Sequence, residues 1–373
     1  MTKNNELVLI TGGAGFIGSH LADALIKDGY RVRVLDNLKP PTHNGQLPDW
    51  FNKKAQFIKG DVRNKKDWVK ALKGVDFVFH LAAYMDYHLD FSVYFDTNTK
   101  STALLYEIIL EKKLPIKKVV IASSQSLYGE GKYKCSKHGV FYAQARPENQ
   151  LISHKWEIKC PIDGKDAVPL PERESDELHP QIPYGISKLA AEKTCLALGK
   201  IYNIPSVALR FSIVQGSRQS FRHFYSGALR DFSVRALTGR PILMQEDANQ
   251  IRDFVNVHDV VSAHLIVLKN KKADFQFFNV GSGGKTRVRD LAKAVYRLAR
   301  VPFKPVVPGM FRINAPRHSI MDISKLKKLG WKPIHSLEDS AKEYLDWVRN
   351  YPEAISYWDK TYKKMEQDRI LKT

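Results

Sequence analysis

From Leu7 to about Ile121 the chain alternates short β-branched runs with stretches of helical period, and nothing else in it limits the fold as strongly. The apolar runs are "LVLIT", "RVRVLD", "AQFIKGD", "VDFVFHLAA" and "KKVVIAS". Between them lie "SHLADALIKDG", "DWVKALKG" and a long helical stretch around Asn98. Alternation of this kind predicts parallel strands joined by crossover helices, an α/β doubly wound sheet. Strands resume at "SVALRFSIV" (206–214) and around "RDFVNVHD" (252–259). Segments of mixed period richer in proline, such as "TGRPILMQED" and "VPFKPVVPGMFRINAPRHSIMD", read as a smaller, discontinuous domain over the carboxyl ends of the strands, where such sheets bind ligands. The expected division is 1–214 with 252–268 for the larger domain, and 215–251 with 269–373 for the smaller, substrate-binding one.

The first strand runs into "TGGAGFIGSHL", with Gly12, Gly15 and Gly18 at three-residue spacing and Gly13, Gly15 and Gly18 as G-x-G-x-x-G. Missing side chains let backbone N–H groups and a helix N-terminus approach a pyrophosphate. The pattern follows a strand, opens a helix, and is followed eighteen residues after Gly18 by Asp36 at the end of the next strand. In that context it predicts a Rossmann-type dinucleotide site. Asp36 would accept from the ribose hydroxyls and repel a 2′-phosphate, favouring NAD over NADP, although Lys39 nearby softens that preference. Asp61 closes "FIKGD" and reads equally as a reader of the adenine amino group or as a turn aspartate.

A chain of 373 residues that is 43% hydrophobic buries a core without staples, and three cysteines (Cys135, Cys160, Cys195) do not make a disulfide framework. A reducing cytoplasm is expected. The amino terminus lacks a signal-peptide core, and no apolar run is long enough to span a bilayer, so no membrane insertion is expected. The net charge of +20 asks for an anionic partner, but the lysines fall in dispersed pairs rather than one basic tract, so no nucleic acid is expected as partner.

"PYGISK" places Tyr184 and Lys188 four residues apart at the start of a helix, on one face. A neighbouring ammonium and a positive nicotinamide both favour the phenolate, which makes the tyrosine a base. Alone, Y-x-x-x-K usually marks an amphipathic helix. Here it accompanies the glycine loop and "SSQSLYG".

Together with "LDN", "GDVRN", "HLAA", "TNTKST", "LRFS", "RDFVNVHDV", "FNVGSG" and "PRHSIMDISKLKKLGWKP", these motifs resemble the extended short-chain dehydrogenase/reductase family, and within it the nucleotide-sugar epimerases. The resemblance covers nearly the whole chain. It implies cofactor contacts at Gly12, Gly15, Phe16, Ile17, Gly18, Asp36, Asn37, Asp61, Val62, Leu81, Ala82, Ala83, Asn98, Tyr184 and Lys188. It implies Ser124 as the hydroxyl that hydrogen-bonds the reacting sugar alcohol. Relatives that resemble 4,6-dehydratases carry an aspartate and a glutamate after that serine, and decarboxylating relatives keep a glutamate. Here stand Gln125 and Ser126, which do not titrate near neutrality, so elimination is disfavoured. What remains is C4 epimerisation by transient oxidation to a keto sugar, with Tyr184 as base and NAD retained. A net dehydrogenase or reductase acting on a nucleotide sugar, or on a sterol- or flavonoid-like alcohol, and a regulatory NAD-binding protein stay open as alternatives. A homodimer through the helices of Asn98 and Tyr184 is also implied.

The resemblance assigns Gln125, Arg252, Arg312 and Arg317 to the nucleotide sugar, the arginines because a guanidinium fork suits phosphate. Ile213 and Gln215 stand where relatives have an asparagine and a tyrosine. Arg210 reads as a structural ion pair. From Tyr128 to Tyr184 the chain runs 56 residues, more than twice the family expectation, and residues about 130–171 read as an inserted lobe. Its "KCSKHG" and "KCPIDG" hold Cys135, His138, Cys160 and Asp163 in two C-x-x-[H/D]-G units, a spacing that suits a structural zinc. Relatives resembling dTDP-L-rhamnose 4-epimerases carry fuller C-x-x-C pairs there, so Asp163 marks either an oxygen ligand or a decayed site. Cys195 reads as a small core residue.

Overall fold

In the computed structural model, which describes residues 5–86, 89–222, 227–357 and 372, the expected alternation becomes a parallel sheet. The first half runs β1 (Leu7–Thr11), α1 (Phe16–Lys27), β2 (Arg31–Asp36), β3 (Gln56–Lys59), α2 (Lys65–Leu72), β4 (Phe77–His80), α3 (Phe91–Tyr94), α4 (Ser101–Glu111) and β5 (Lys118–Ser124). The lobe adds β6 (Lys132–Cys135), β7 (Gly139–Tyr142), α5 (Glu148–Ile152) and β8 (Val168–Pro169). There follow α6 (Pro183–Ile201), β9 (Ser206–Phe211), β10 (Ile213–Gln215), α7 (Gly227–Thr238), β11 (Ile242–Leu243), β12 (Ile251–Arg252), β13 (Phe254–Asn256) and α8 (Val257–Lys269). The chain continues through β14 (Gln276–Val280), β15 (Thr286–Arg287), α9 (Val288–Ala299), β16 (Pro305–Val306), α10 (Ser324–Lys327) and α11 (Leu337–Val348).

Seven strands form the main sheet in the order β14-β9-β5-β4-β1-β2-β3, every pair parallel. Its strands are apolar on both faces because both are covered. Val8 and Ile10 enter a core with Leu21 and Leu25 of α1 and Val260 of α8, whereas Leu7 and Leu9 enter another with Trp68, Leu105, Ile109 and Cys195. Cys195 is thus a buried core residue. A third core joins α7, α9 and α11 around Phe232, Leu291 and Tyr344. Order reverses between β1 and β4, so the crevice at their carboxyl ends is the topological switch point.

Four expectations need correction. The seventh strand, β14, comes from 276–280, inside the stretch expected in the smaller domain. The run 206–214 is not one strand. It breaks at Ser212, whose N–H turns to Val280 O, and Ile213 continues into β10, paired with β13 in a separate sheet. The run 252–259 also divides, because Asp253 is drawn in to accept from Ser282 and Gly283 N–H, and Asn256 then caps α8 through the His258 N–H. The helix around Asn98 is interrupted too, by a π-helical segment at Phe95–Lys100, a device common at functional sites. No described helix is long and apolar enough to cross a membrane.

A Cβ on Gly18 would lie 2.4 Å from Gly12 O, whereas one on Gly15 would meet that oxygen at 3.3 Å. Gly18→Ala is therefore expected to cost about 2–4 kcal/mol in urea unfolding, and Gly15→Ala clearly less. Equal costs would contradict the helix–strand contact.

Candidate active site

At the switch point Gly12 takes φ +68° and lies under Ala82, whose N and Cα would stand 2.9 Å from any Cβ there. Thr11 Oγ1 bonds His80 Nδ1 (2.7 Å) and accepts from Ala82 N, while His80 Nε2 reaches Ser101 Oγ at 2.8 Å. Burial, with Lys188 nearby, holds the His80 imidazole neutral, down at about 3. The chain Thr11–His80–Ser101 thereby fixes Leu81–Ala83 opposite the glycine loop. Phe16 and Ile17 open α1, whose N-terminus has Gly15 as its cap residue and no side-chain cap, which suits an anion. Asp36 ends β2 with its carboxylate accepting from Ala14 and Leu38 N–H, adjoining the loop. These residues fit a dinucleotide.

Asp61 and Asn98 are committed elsewhere. Asp61 takes Arg63 in a fork (2.9 and 2.7 Å) and Asn37 at 3.2 Å, and although burial opposes it, these bonds hold the carboxyl well below the usual range. Lys39 also pairs with Asp61, at 3.4 Å. The turn-aspartate reading is the one this geometry favours. Val62 is buried, and its carbonyl accepts from Trp68 Nε1. Asn98 uses its whole amide on protein, accepting from Tyr84 N and donating to Tyr84 O and Ser187 Oγ. In this geometry it ties the 81–86 loop to α6.

Strand β5 delivers Ser124 to the same end, where its hydroxyl caps the following turn by accepting from Ser126 N. Tyr184, one residue into α6, hydrogen-bonds with Ser124. Burial pushes the phenol up to about 12 and pulls the Lys188 ammonium down to about 8. Both side chains are buried. Gln125 Oε1 accepts from Ser319 Oγ at 3.0 Å, a contact across the chain that spacing does not reveal. Arg210 is a structural ion pair, forked on Glu192 (2.6 and 3.0 Å) and bonded to Tyr128 Oη.

The three expected phosphate arginines each meet partners within the protein. Arg252 donates to the carbonyls of Ile251, Pro316 and Arg317, and burial lowers it to about 10. Arg312 bonds Gln245. Arg317 has no exposed side-chain surface, and its guanidinium faces Glu157, Glu246 and Asp247. Sequence reading missed this cage because its members come from distant segments. It also missed His43, Trp50, Arg218 and Arg222, which line a cavity with Gly15 and Phe16. Gln215 is buried, with its Oε1 unpartnered.

In the lobe, β6, β7 and β8 form an antiparallel sheet that brings the two C-x-x-[H/D]-G units together. His138 Nδ1 lies 3.6 Å from Cys135 Sγ, 3.4 Å from Cys160 Sγ and 3.6 Å from Asp163 Oδ2, and all four ligand atoms fall within 4.8 Å of one another. A zinc tetrahedron would space such atoms about 3.3–3.8 Å apart.

The family described as the NAD dependent epimerase/dehydratase family matches residues 8–149 and 161–281. The chain belongs to this family. It is 32% identical over 353 residues to a dTDP-L-rhamnose 4-epimerase of Burkholderia thailandensis, covering 92% of this chain and 95% of the relative. It is 31% identical over 354 residues to a putative UDP-glucose 4-epimerase of Methanocaldococcus jannaschii, covering 92% and 99%. Among solved structures, a UDP-glucuronic acid 4-epimerase of Bacillus cereus in complex with NAD superposes with a TM-score of 0.73 at 26% identity, covering 92% of this chain and 99% of that one. A Thermotoga maritima UDP-glucose 4-epimerase with UDP-glucose gives 0.73 at 28%, with the same coverage. The break in the family match, between 149 and 161, falls inside the inserted lobe.

Asn98→Ala removes two hydrogen bonds to Tyr84 in the loop and one to Ser187 in α6. It is expected to cost about 2–3 kcal/mol by chemical denaturation, and a cost near zero would contradict the positioning role.

Proposed function

We propose that this family member is an NAD-dependent nucleotide-sugar epimerase that inverts C4 through a bound keto sugar. The observation that carries the reading is the burial of Ser124, Tyr184 and Lys188, with Tyr184 bonded to Ser124 at the carboxyl end of β5 and Gln125 and Ser126 in place of an ionisable pair. NAD, when bound, accepts the hydride and returns it to the other face, so no reductant is consumed. Tyr184 Oη takes the alcohol proton and later gives it back, and Ser124 Oγ orients that alcohol. Lys188 sets a positive charge near the phenolate, and burial of both groups strengthens that interaction. The 4-epimerase names of the relatives support C4 as the carbon.

The same reading places the protein in the cytoplasm, consistent with three free, buried cysteines. It makes it a homodimer through the helical stretch 91–111, which contains Asn98, and through α6, which contains Tyr184; Phe91, Phe95, Leu110 and Ile186 are exposed there. It keeps a larger cofactor domain and a smaller substrate domain near the boundaries given above, with β14 moved to the larger.

We further assign a structural zinc to Cys135, His138, Cys160 and Asp163. The lobe's own apolar cluster is small, Tyr133, Ala143, Ile158 and Ala167 with Phe141 packed on it, the size of core that a metal staple commonly supports. Backbone N–H groups of Lys137 and His138 point at the Cys135 sulfur, and those of Ile162 and Asp163 at Cys160, as thiolate ligands require. Asp163 Oδ2 is buried without a hydrogen-bond partner.

Purified protein, offered UDP-, dTDP-, GDP- and CDP-sugars and followed by NMR, is expected to invert one of them with no net reduction of nicotinamide. Tyr184→Phe is expected to lower kcat by about 10²–10⁴-fold while retaining NAD. Stoichiometric reduction would make the protein a dehydrogenase. Elemental analysis is expected to find one zinc per chain, lost with a fall in Tm in Cys135→Ser; no zinc and an unchanged Tm would remove the metal.

A further inference from the structure

The cavity beside the glycine loop is walled from both domains. Gly15 and Phe16 at the start of α1, with His43 and Trp50 from the loop after β2, form one side, and Arg218, Arg222 and Trp347 of the smaller domain form the other. The two sides are tied together around it. Arg218 pairs with Asp23 of α1 at 2.7 Å, His20 Nε2 meets Ser217 O at 3.0 Å, and Tyr351 Oη donates to Asp49 at 2.9 Å. Trp50 packs edge-on against Trp347, with ring centroids 5.5 Å apart. Residues 217–222 and the segment that ends α11 are thus held against the cofactor loops.

Two donors in this wall, Trp50 Nε1 and Arg222 Nε, are buried and meet no acceptor among the described residues. Arg222 spends only part of its fork: Nη2 reaches Glu353 at 3.1 Å, and the guanidinium lies over the Phe221 ring at 4.5 Å. A buried donor without an acceptor is costly, so two in one wall call for an oxygen that arrives with a ligand. The cavity measures about 10 Å³, room for one oxygen-sized group and too little for a second metabolite. Two guanidinium groups and the α1 N-terminus favour an anionic oxygen there over water. That N-terminus is where a glycine loop of this kind holds a pyrophosphate. His43 interacts with both Asp36 and Arg222, which sets the guanidinium toward the adenosine side of the loop.

We propose that Trp50 and Arg222 clamp the cofactor: Trp50 Nε1 and Arg222 Nε donate to a phosphate oxygen of the dinucleotide, so that the smaller domain locks NAD onto the glycine loop and keeps it there between turnovers. This rests on the NAD-retaining reading above. Trp347 shares the wall but is not a donor in the clamp, because its indole already meets Tyr351, whose ring lies 4.8 Å away. The clamp lies outside the glycine pattern, and it needs both domains in place to form.

The test is exchange of bound NAD for isotopically labelled NAD in the full-length protein as purified, followed by native mass spectrometry. Trp50→Phe and Arg222→Lys are each expected to speed the exchange about tenfold, the loss of one hydrogen bond to a charged group. Trp347→Phe removes the same bulk from the same aromatic cluster and is expected to exchange at the wild-type rate. Equal acceleration in the two tryptophan variants would reduce the effect to packing and overturn the proposal, as would a wild-type rate in Trp50→Phe or in Arg222→Lys; either result leaves the epimerase reading standing. Wild-type protein that carries no NAD and takes up none would instead sink that reading, and the proposal with it. Hydrogen exchange of the wild type with and without NAD gives a second measure that does not depend on a variant folding. NAD is expected to slow exchange in 217–222 as well as in the glycine loop, and protection of the glycine loop alone would contradict the clamp.

Discussion

Glu192 lies one helical turn beyond Lys188, and its carboxylate is fully engaged. One oxygen accepts from Ser123 Oγ (2.6 Å) and Arg210 Nε (3.0 Å), and the other from Arg210 Nη2 (2.6 Å). Arg210 in turn reaches Tyr128 Oη, which donates to Asn279. This network joins β5, α6, β9 and β14 beneath the crevice. Charges buried this deeply cost several kcal/mol each to desolvate, and removing one partner typically costs about 3–5 kcal/mol. What the network secures is angle: it fixes the face of α6 that carries Tyr184 and Lys188 against the strand end that carries Ser124. Without that fixed face a phenol and a serine hydroxyl could not stay in hydrogen-bond contact inside the protein.

The inserted lobe is tied to the substrate segment by the same kind of bond. Arg146 holds Glu246 and the Ala315 carbonyl, and Glu130, raised to about 7 by burial against the pull of Arg146, accepts the Arg317 N–H. A chain with a net charge of +20 therefore surrounds its central arginine with acids. The excess of lysine and arginine says little about this site, where local pairing decides the field.

Much of the fold was legible because its signals are local. The glycine loop, Asp36 and the strand–helix alternation each need only a short window. The Tyr184–Lys188 pair needs only one helical turn, and the two C-x-x-[H/D]-G units converge as their spacing implies. What was not legible depends on distant contacts. Asn98 sits on a motif associated with cofactor contact, yet its amide is spent on Tyr84 and Ser187, which no sequence window contains. Arg317 reads as a phosphate ligand until Glu157, 160 positions away, is seen on it. The break at Ser212 also eluded the pattern, because an apolar run through 206–214 has the same period whether or not it changes sheet.

The central claim is that a buried phenol becomes a base once an oxidised nicotinamide joins Lys188 beside it. In the protein alone burial holds Tyr184 up at about 12. The direct measurement is the ionisation of Tyr184 in protein loaded with oxidised NAD, by ring-labelled tyrosine NMR with Tyr184→Phe to assign the signal. The account predicts one phenol titrating below the ordinary value of about 10, absent from the variant. A spectrum in which Tyr184 stays protonated past that value with the cofactor in place would contradict it.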